Sequence, residues 1–223
     1  MNSKLTIAID GPAAAGKSTV SKIVATKLGY IYIDTGAMYR AITLKAINEN
    51  IHYDNEDKLT AVLLETSIEL KQSNTGQKVF LDGKDVSLEI RSEKVTHAVS
   101  QIAKHSKIRE IMVEKQKAFA KQGGVVMDGR DIGTHVLPNA ELKFFLIASA
   151  EERAKRRHQE NIERGFTSDL ENIKNEIIER DLQDTKRKVA PLIKAEDAIE
   201  VDTTSMSIDD VASFILDKVN NYS

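Results

Sequence analysis

The chain has 223 residues, 41% of them hydrophobic, and 32 Lys and Arg stand against 34 Asp and Glu for a net charge of −2. Those figures suit one compact domain with insertions and exclude a wholly disordered chain; they supply no global positive field for a duplex or an anionic membrane. Zero Cys excludes disulfides, thiolate metal sites and thiol catalysis and fits a reducing cytoplasm.

Met1 to Thr6 is too short and polar for a secretory signal, and Asp10 interrupts any apolar segment. Leu5, Ile7 and Ile9 form a β-prone run that stops at Asp10-Gly11-Pro12. Val20, Ile23, Val24 and Leu28 then recur at helical spacing. Tyr30 to Ile33 reads as a second strand, and Asp34-Thr35-Gly36 leads into a helix over about 37–48. This β-α-β-α rhythm predicts a parallel sheet covered by helices.

Three short strands, Ile68 to Lys71, Lys78 to Leu81 and Lys84 to Val86, interrupt the rhythm. Asn74-Thr75-Gly76 and Asp82-Gly83 separate them as hairpin turns, so a small antiparallel sheet is expected as an insertion. Helical spacing returns with Val95, Val99 and Ile102 and with Ile108, Ile111, Met112 and Phe119. Further strands are expected at Val125 to Met127, Phe144 to Ile147 and Ile199 to Val201, which makes five parallel strands available. The longest apolar run, Phe144 to Ala148, is far short of the ~20 residues that cross a bilayer.

From Glu151 to Lys194, 11 Lys/Arg and 10 Asp/Glu fall in 44 residues. Such a stretch buries little of itself; it reads either as a solvated helical arm or as a mobile lid over an anionic ligand.

Gly11-Pro12-Ala13-Ala14-Ala15-Gly16-Lys17-Ser18 fits G-x-x-x-x-G-K-[ST] between a strand and a helix, with Thr19 next. In that setting successive backbone N–H groups face phosphate oxygens, Lys17 adds charge at the β/γ-phosphates and Ser18 can hold Mg²⁺. The chain is therefore expected to bind a nucleoside triphosphate. A small-molecule kinase, a switch GTPase and a remodelling ATPase all remain possible on that basis. No Asn-Lys-x-Asp guanine reader is present, and the charge balance argues against a basic nucleic-acid track.

A kinase for a phosphorylated acceptor must bring two anions together, so arginines have to converge from different segments. Arg40, Arg130, Arg180 and Arg187 are candidates, with Arg153, Arg156 and Arg157 clustered ahead of the last two. The five histidines, at 52, 97, 105, 135 and 158, lack metal-ligand spacing.

The chain resembles the bacterial cytidylate kinases of the nucleoside monophosphate kinase group over essentially its whole length. The resemblance rests on 11–19, on Asp-Thr-Gly-Ala-Met-Tyr-Arg at 34–40, on Val-Ser-Gln-Ile-Ala at 99–103 and on Asp-Gly-Arg-Asp-Ile-Gly at 128–133. Glu-Arg-Asp at 179–181 and Arg-x-x-Ala-Pro-Leu at 187–192 complete it.

That resemblance implies one α/β domain of P-loop type over 1–223. It also implies a monophosphate-binding part over 36–104, enlarged by the antiparallel insertion at about 68–86, and a lid at about 151–168. It implies transfer of the γ-phosphoryl of Mg-ATP to CMP or dCMP in a cytoplasmic monomer. Arg40, Arg130 and Arg187 would grip the acceptor phosphate, Ser100, Arg109 and Asp131 would read cytosine, and Arg180 and Asp184 would touch the ribose. Thr35, where many relatives have Ser, would also face the acceptor, and Arg153 and Arg157 would be the lid's catalytic arginines beside Lys17. A kinase for another phosphorylated acceptor and a nucleotide-binding regulator without turnover are the competing readings.

Overall fold

The computed structural model describes residues 4–73, 76–121, 123–163, 165 and 167–222. β1 (Thr6–Asp10) passes through the glycine-rich turn into α1 (Lys17–Leu28), then β2 (Ile31–Asp34), α2 (Thr35–Asn48) and α3 (Glu56–Glu65). The hairpin strands β3 (Ile68–Ser73), β4 (Gly76–Leu81) and β5 (Lys84–Asp85) precede α4 (Glu93–Ala103) and α5 (Ser106–Ala120). β6 (Val125–Gly129), a π-helical turn at Ile132–Val136 and β7 (Leu142–Ile147) follow. The chain closes with α6 (Ala150–Glu163), α7 (Leu170–Lys186), β8 (Ile199–Asp202) and α8 (Ile208–Asn220).

Five strands pair in the order β2-β6-β1-β7-β8, all parallel. Parallel strands need crossovers that cover both faces, which is why β1 and β6 are buried along nearly their whole length and carry the apolar runs Ile7–Ile9 and Val125–Met127. Alternation along β1 splits its side chains between the two faces. Ile7 and Ile9 join Phe144 and Leu146 against Val20 and Val24 of α1 and Val211 and Ile215 of α8. Ala8 packs on the other side with Ile33, Met127, Ile132 and Val136.

β3, β4 and β5 form the separate antiparallel sheet that the turn signals predict. Asp82 and Gly83 both have positive φ, 49° and 82°, as a two-residue hairpin turn of this hand requires. Val79 and Leu81 share a core with Met38 and Ile42 of α2, Leu59 and Leu63 of α3 and Ile102, Ile108 and Met112 beyond. The insertion is thus packed into the domain. β3 runs two residues past Lys71 and β4 starts two before Lys78, because backbone pairing continues to Ser73 and Gly76; Asn74 and Thr75 of the expected turn lie outside the described residues.

Neither α3 nor α8 was apparent from periodicity. α3 starts at an Asn55 side-chain cap, and α8 at a capping box made by Ser207 and Asp210. The charged stretch after residue 150 is two helices, and Ala154, Ile173 and Ile177 close a small buried cluster between them. Apolar residues are few there, but i, i+4 spacing puts Ile173 and Ile177 on one face, so the stretch buries more of itself than its charge content predicts. Arg164 and Phe166, inside the expected lid at 151–168, lie outside the described residues. No helix among the described residues is long and apolar enough to cross a membrane.

Candidate active site

Because all five strands are parallel, their C-terminal ends share one edge of the sheet, the place where open α/β folds bind ligands. β1, β2 and β6 each end in a carboxylate there or next to it: Asp34 pairs in register with Asp128, and Asp10 pairs with Gly129. The phosphate loop leaves β1 at this edge. Gly11 has φ +147°, and a Cβ on it would lie 2.1 Å from the Leu146 carbonyl oxygen, so only glycine lets the loop pass β7. α1 starts at Gly16 without a side-chain cap, which leaves its first amides to a ligand.

Lys17 is buried, and its Nζ donates to the Pro12 carbonyl at 2.7 Å. Burial and then the nearby Arg130 push its ammonium pKa down; a phosphate anion beside it would reverse that. Ser18 Oγ donates to Asp128 Oδ2 at 2.9 Å, and Tyr32 donates to Oδ1 at 2.7 Å. Burial, then the Asp34 carboxylate, raises the Asp128 pKa. A hydroxyl hydrogen-bonded to a buried carboxylate fits Mg²⁺, a hard ion that takes one or two protein oxygens and completes its shell with water and phosphate. Among the described residues no group of three or more His, Cys, Asp or Glu could hold a metal by itself.

A cleft of about 870 Å³ runs from this loop to α2, α4 and α7. Lys17, Arg40, Arg130, Arg157, Arg180 and Arg187 all line it, as do Thr35, Ser100, Arg109, Asp131 and Asp184. Arg130 Nε donates to Asp184 Oδ2 at 3.0 Å, and Arg187 reaches both Asp184 and Asp131, at 3.7 and 3.4 Å. Arg109 binds the other oxygen of Asp131, donates to the Ala103 carbonyl at 3.2 Å and lies 5.5 Å over the Tyr39 ring. Thr35 Oγ1 donates to the Asp128 carbonyl at 2.7 Å.

The guanidinium groups outnumber the carboxylates that neutralise them. Among the described residues Arg40 donates to the neutral Thr96 hydroxyl, at 2.9 Å. Burial, then Arg180 and Arg157, push its pKa down to about 9. Burial and Arg130 push Arg180 to about 10, and its buried Nε has no hydrogen-bond partner among the described residues. Buried guanidinium groups crowded against one another make a site for an anion.

Arg153 stands apart. It does not line the cleft: Nε donates to the Ala148 carbonyl at 2.9 Å, Nη1 to the Ala13 carbonyl at 3.1 Å and Nη2 to Asp181 at 2.6 Å. The expectation of a lid arginine on the phosphoryl group therefore meets a buried side chain that ties α6 to the phosphate loop and α7. Sequence reading missed Asp128 as a site residue, although a carboxylate closing the run Val125–Met127 signals a strand end at the ligand edge. It also missed Arg91, which lines the cleft; Arg156, of the expected cluster, lines it too and reaches across to donate to the Thr203 carbonyl at 2.6 Å.

The family model described as Cytidylate kinase matches residues 7–221. The cytidylate kinase of Geobacillus sp. (strain WCH70) is 63% identical over 220 residues, covering 99% of this chain and 98% of that protein. That of Bacillus subtilis (strain 168) is 58% identical over 223 residues, all of both chains. An uncharacterized protein from Eubacterium ventriosum ATCC 27560, of solved structure, matches the fold at a TM-score of 0.51 and 13% identity, over 97% of this chain and 98% of that one. Sheet order and loop geometry agree with a match that runs almost end to end, and the chain belongs to the cytidylate kinase family.

Proposed function

We propose that this member of the family moves the γ-phosphoryl group of ATP onto the 5′-phosphate of CMP or dCMP by direct in-line transfer, releasing ADP and CDP or dCDP. The observation that carries the reading is the shared cleft, lined by Lys17 and by Arg40, Arg130 and Arg187. An acceptor phosphate is already an anion at neutral pH, so positioning and charge neutralisation suffice and no strong general base is called for.

In this reading residues 11–19 hold the donor phosphates, and Lys17 stabilises charge on the transferring group. Arg40, Arg130 and Arg187 hold the acceptor phosphate, Arg180 and Asp184 the ribose, and Thr35 lies on the same side. Asp131 accepts from the cytosine N4 amino group, whereas the O4 of uracil would face its carboxylate; Arg109 donates to O2 or N3, and Ser100 adds a hydroxyl. Bound Mg²⁺, held by Ser18 with Asp128 behind it, supplies charge to the donor phosphates. Residues 36–104 form the acceptor part, and 151–168 a lid whose Arg157 turns to the donor. Arg153 acts through the loop it holds. The enzyme works as a cytoplasmic monomer on small molecules, with neither nucleic acid nor membrane as partner.

ADP release from ATP with CMP, dCMP, UMP, AMP or dTMP tests this. CMP and dCMP should turn over fastest. Preference for AMP or dTMP would overturn the acceptor assignment, and no acceptor-stimulated release would leave a binding protein.

A further inference from the structure

Asp10 closes β1 directly before Gly11, and it is 5% exposed. Its two carboxylate oxygens accept consecutive amides from another part of the chain: Oδ1 from Ile132 N–H at 2.9 Å and Oδ2 from Gly133 N–H at 2.7 Å. Those amides open the π-helical turn whose N-cap residue is Asp131. An Asp at an N-cap ordinarily turns its own side chain onto such amides. Asp131 does not; its oxygens go to Arg109 and Arg187.

We infer that Asp10 is a positioning residue for base selection, capping the turn in place of Asp131 and so leaving the Asp131 carboxylate aimed into the cleft. This rests on the reading of Asp131 as the cytosine reader. Without the borrowed cap, two buried amides lose their acceptors, and Asp131 becomes the nearest carboxylate able to serve them. The residue that starts the donor's phosphate loop thereby sets the acceptor's base preference. Among the described residues no other side chain accepts from these two amides; the Lys143 stem lies along Gly133, but an ammonium has no acceptor to offer them.

The test compares Asp10→Asn and Asp131→Asn with the wild type for kcat/KM on CMP and on UMP. Both substrates are assayed on one preparation, so their ratio does not depend on how much of it folds. Asp131→Asn should cut the CMP/UMP ratio at least about 10-fold, and Asp10→Asn about 3- to 10-fold, because the amide keeps one acceptor and turns a donor toward the second N–H. Should the Asn variant be insoluble, Asp10→Ser gives the same readout. If Asp131→Asn lowers the ratio while the position-10 variants lower both substrates in parallel, Asp10 is only structural and the inference is overturned. An unchanged ratio in Asp131→Asn removes the base-reading assignment and this inference with it.

Discussion

Asp128 Oδ2 accepts the Ser18 hydroxyl proton at 2.9 Å, so the end of a buried strand and the second residue of α1 meet beside the phosphate loop. Asn at 128 would keep the size and one acceptor but lose the charge. Asp128→Asn should lower kcat by about 10²-fold or more, the usual cost of removing a preorganised charge at a reacting centre, and leave the ATP KM within a few fold. Steady-state kinetics over a Mg²⁺ titration measures this; near-normal kcat would mean that Asp128 only braces Ser18 and Tyr32.

Arg40 sits where burial and two neighbouring guanidinium groups disfavour its charge. Its pKa is depressed in the folded chain, so folding works against the charged form, and removing that charge should help the ligand-free protein. Arg40→Gln should be more stable by roughly 1 kcal/mol, raising the melting midpoint by about 2–4 °C. It should also cut kcat/KM for CMP by about 10²-fold, as a charge-assisted phosphate contact is lost. Thermal melts without nucleotide decide the first half; a lower midpoint would show that the Thr96 bond outweighs the repulsion.

Arg153 serves three acceptors on three segments, and lysine cannot reproduce that fork. Arg153→Ala should cost about 2–3 kcal/mol, below the usual figure for breaking a buried pair because Asp181 is a quarter exposed. Arg153→Lys should recover less than half of it and remain slower than wild type. Urea unfolding and kcat together check this, and a lysine variant equal to wild type in both would refute the three-way tie.

Burial raises the Asp10 carboxyl to about 6 from 3.8, against the lowering effect of the Gly133 and Ile132 amides. Between those values the folded chain keeps a proton that the unfolded chain has released. Stability from the protonated form is therefore present at low pH and lost as pH rises through 6. Asp10→Asn has no such titration. The stability of wild type minus that of the variant should fall by roughly 2–3 kcal/mol from pH 4 to pH 7, measured by urea unfolding at several pH values. A difference that is flat or grows with pH contradicts this origin.

Much of this molecule could be read from its residues. Four of the five parallel strands, β1, β2, β6 and β8, end in or beside an aspartate, and Arg40 and Arg130 lie in motifs that directly follow two of them. α3 escaped notice because only Leu59 and Leu63 carry its buried face. Arg153 is less legible because one residue type serves equally as phosphate ligand and as backbone clamp, and its contacts with Ala13 and Asp181 appear only in space. The Asp10 cap was invisible for the same reason: its partners, Ile132 and Gly133, offer main-chain amides, which every sequence has everywhere.

Gly11 meets the Leu146 carbonyl where a side chain would begin. The obstacle is main chain in the middle of a sheet and cannot step aside, so tolerance of change along the loop is uneven. A saturation library across 11–16 would return functional clones altered at Ala13, whose link to Arg153 uses only its carbonyl, and none at Gly11. The permitted alphabet at the start of the loop is written by a neighbour in β7.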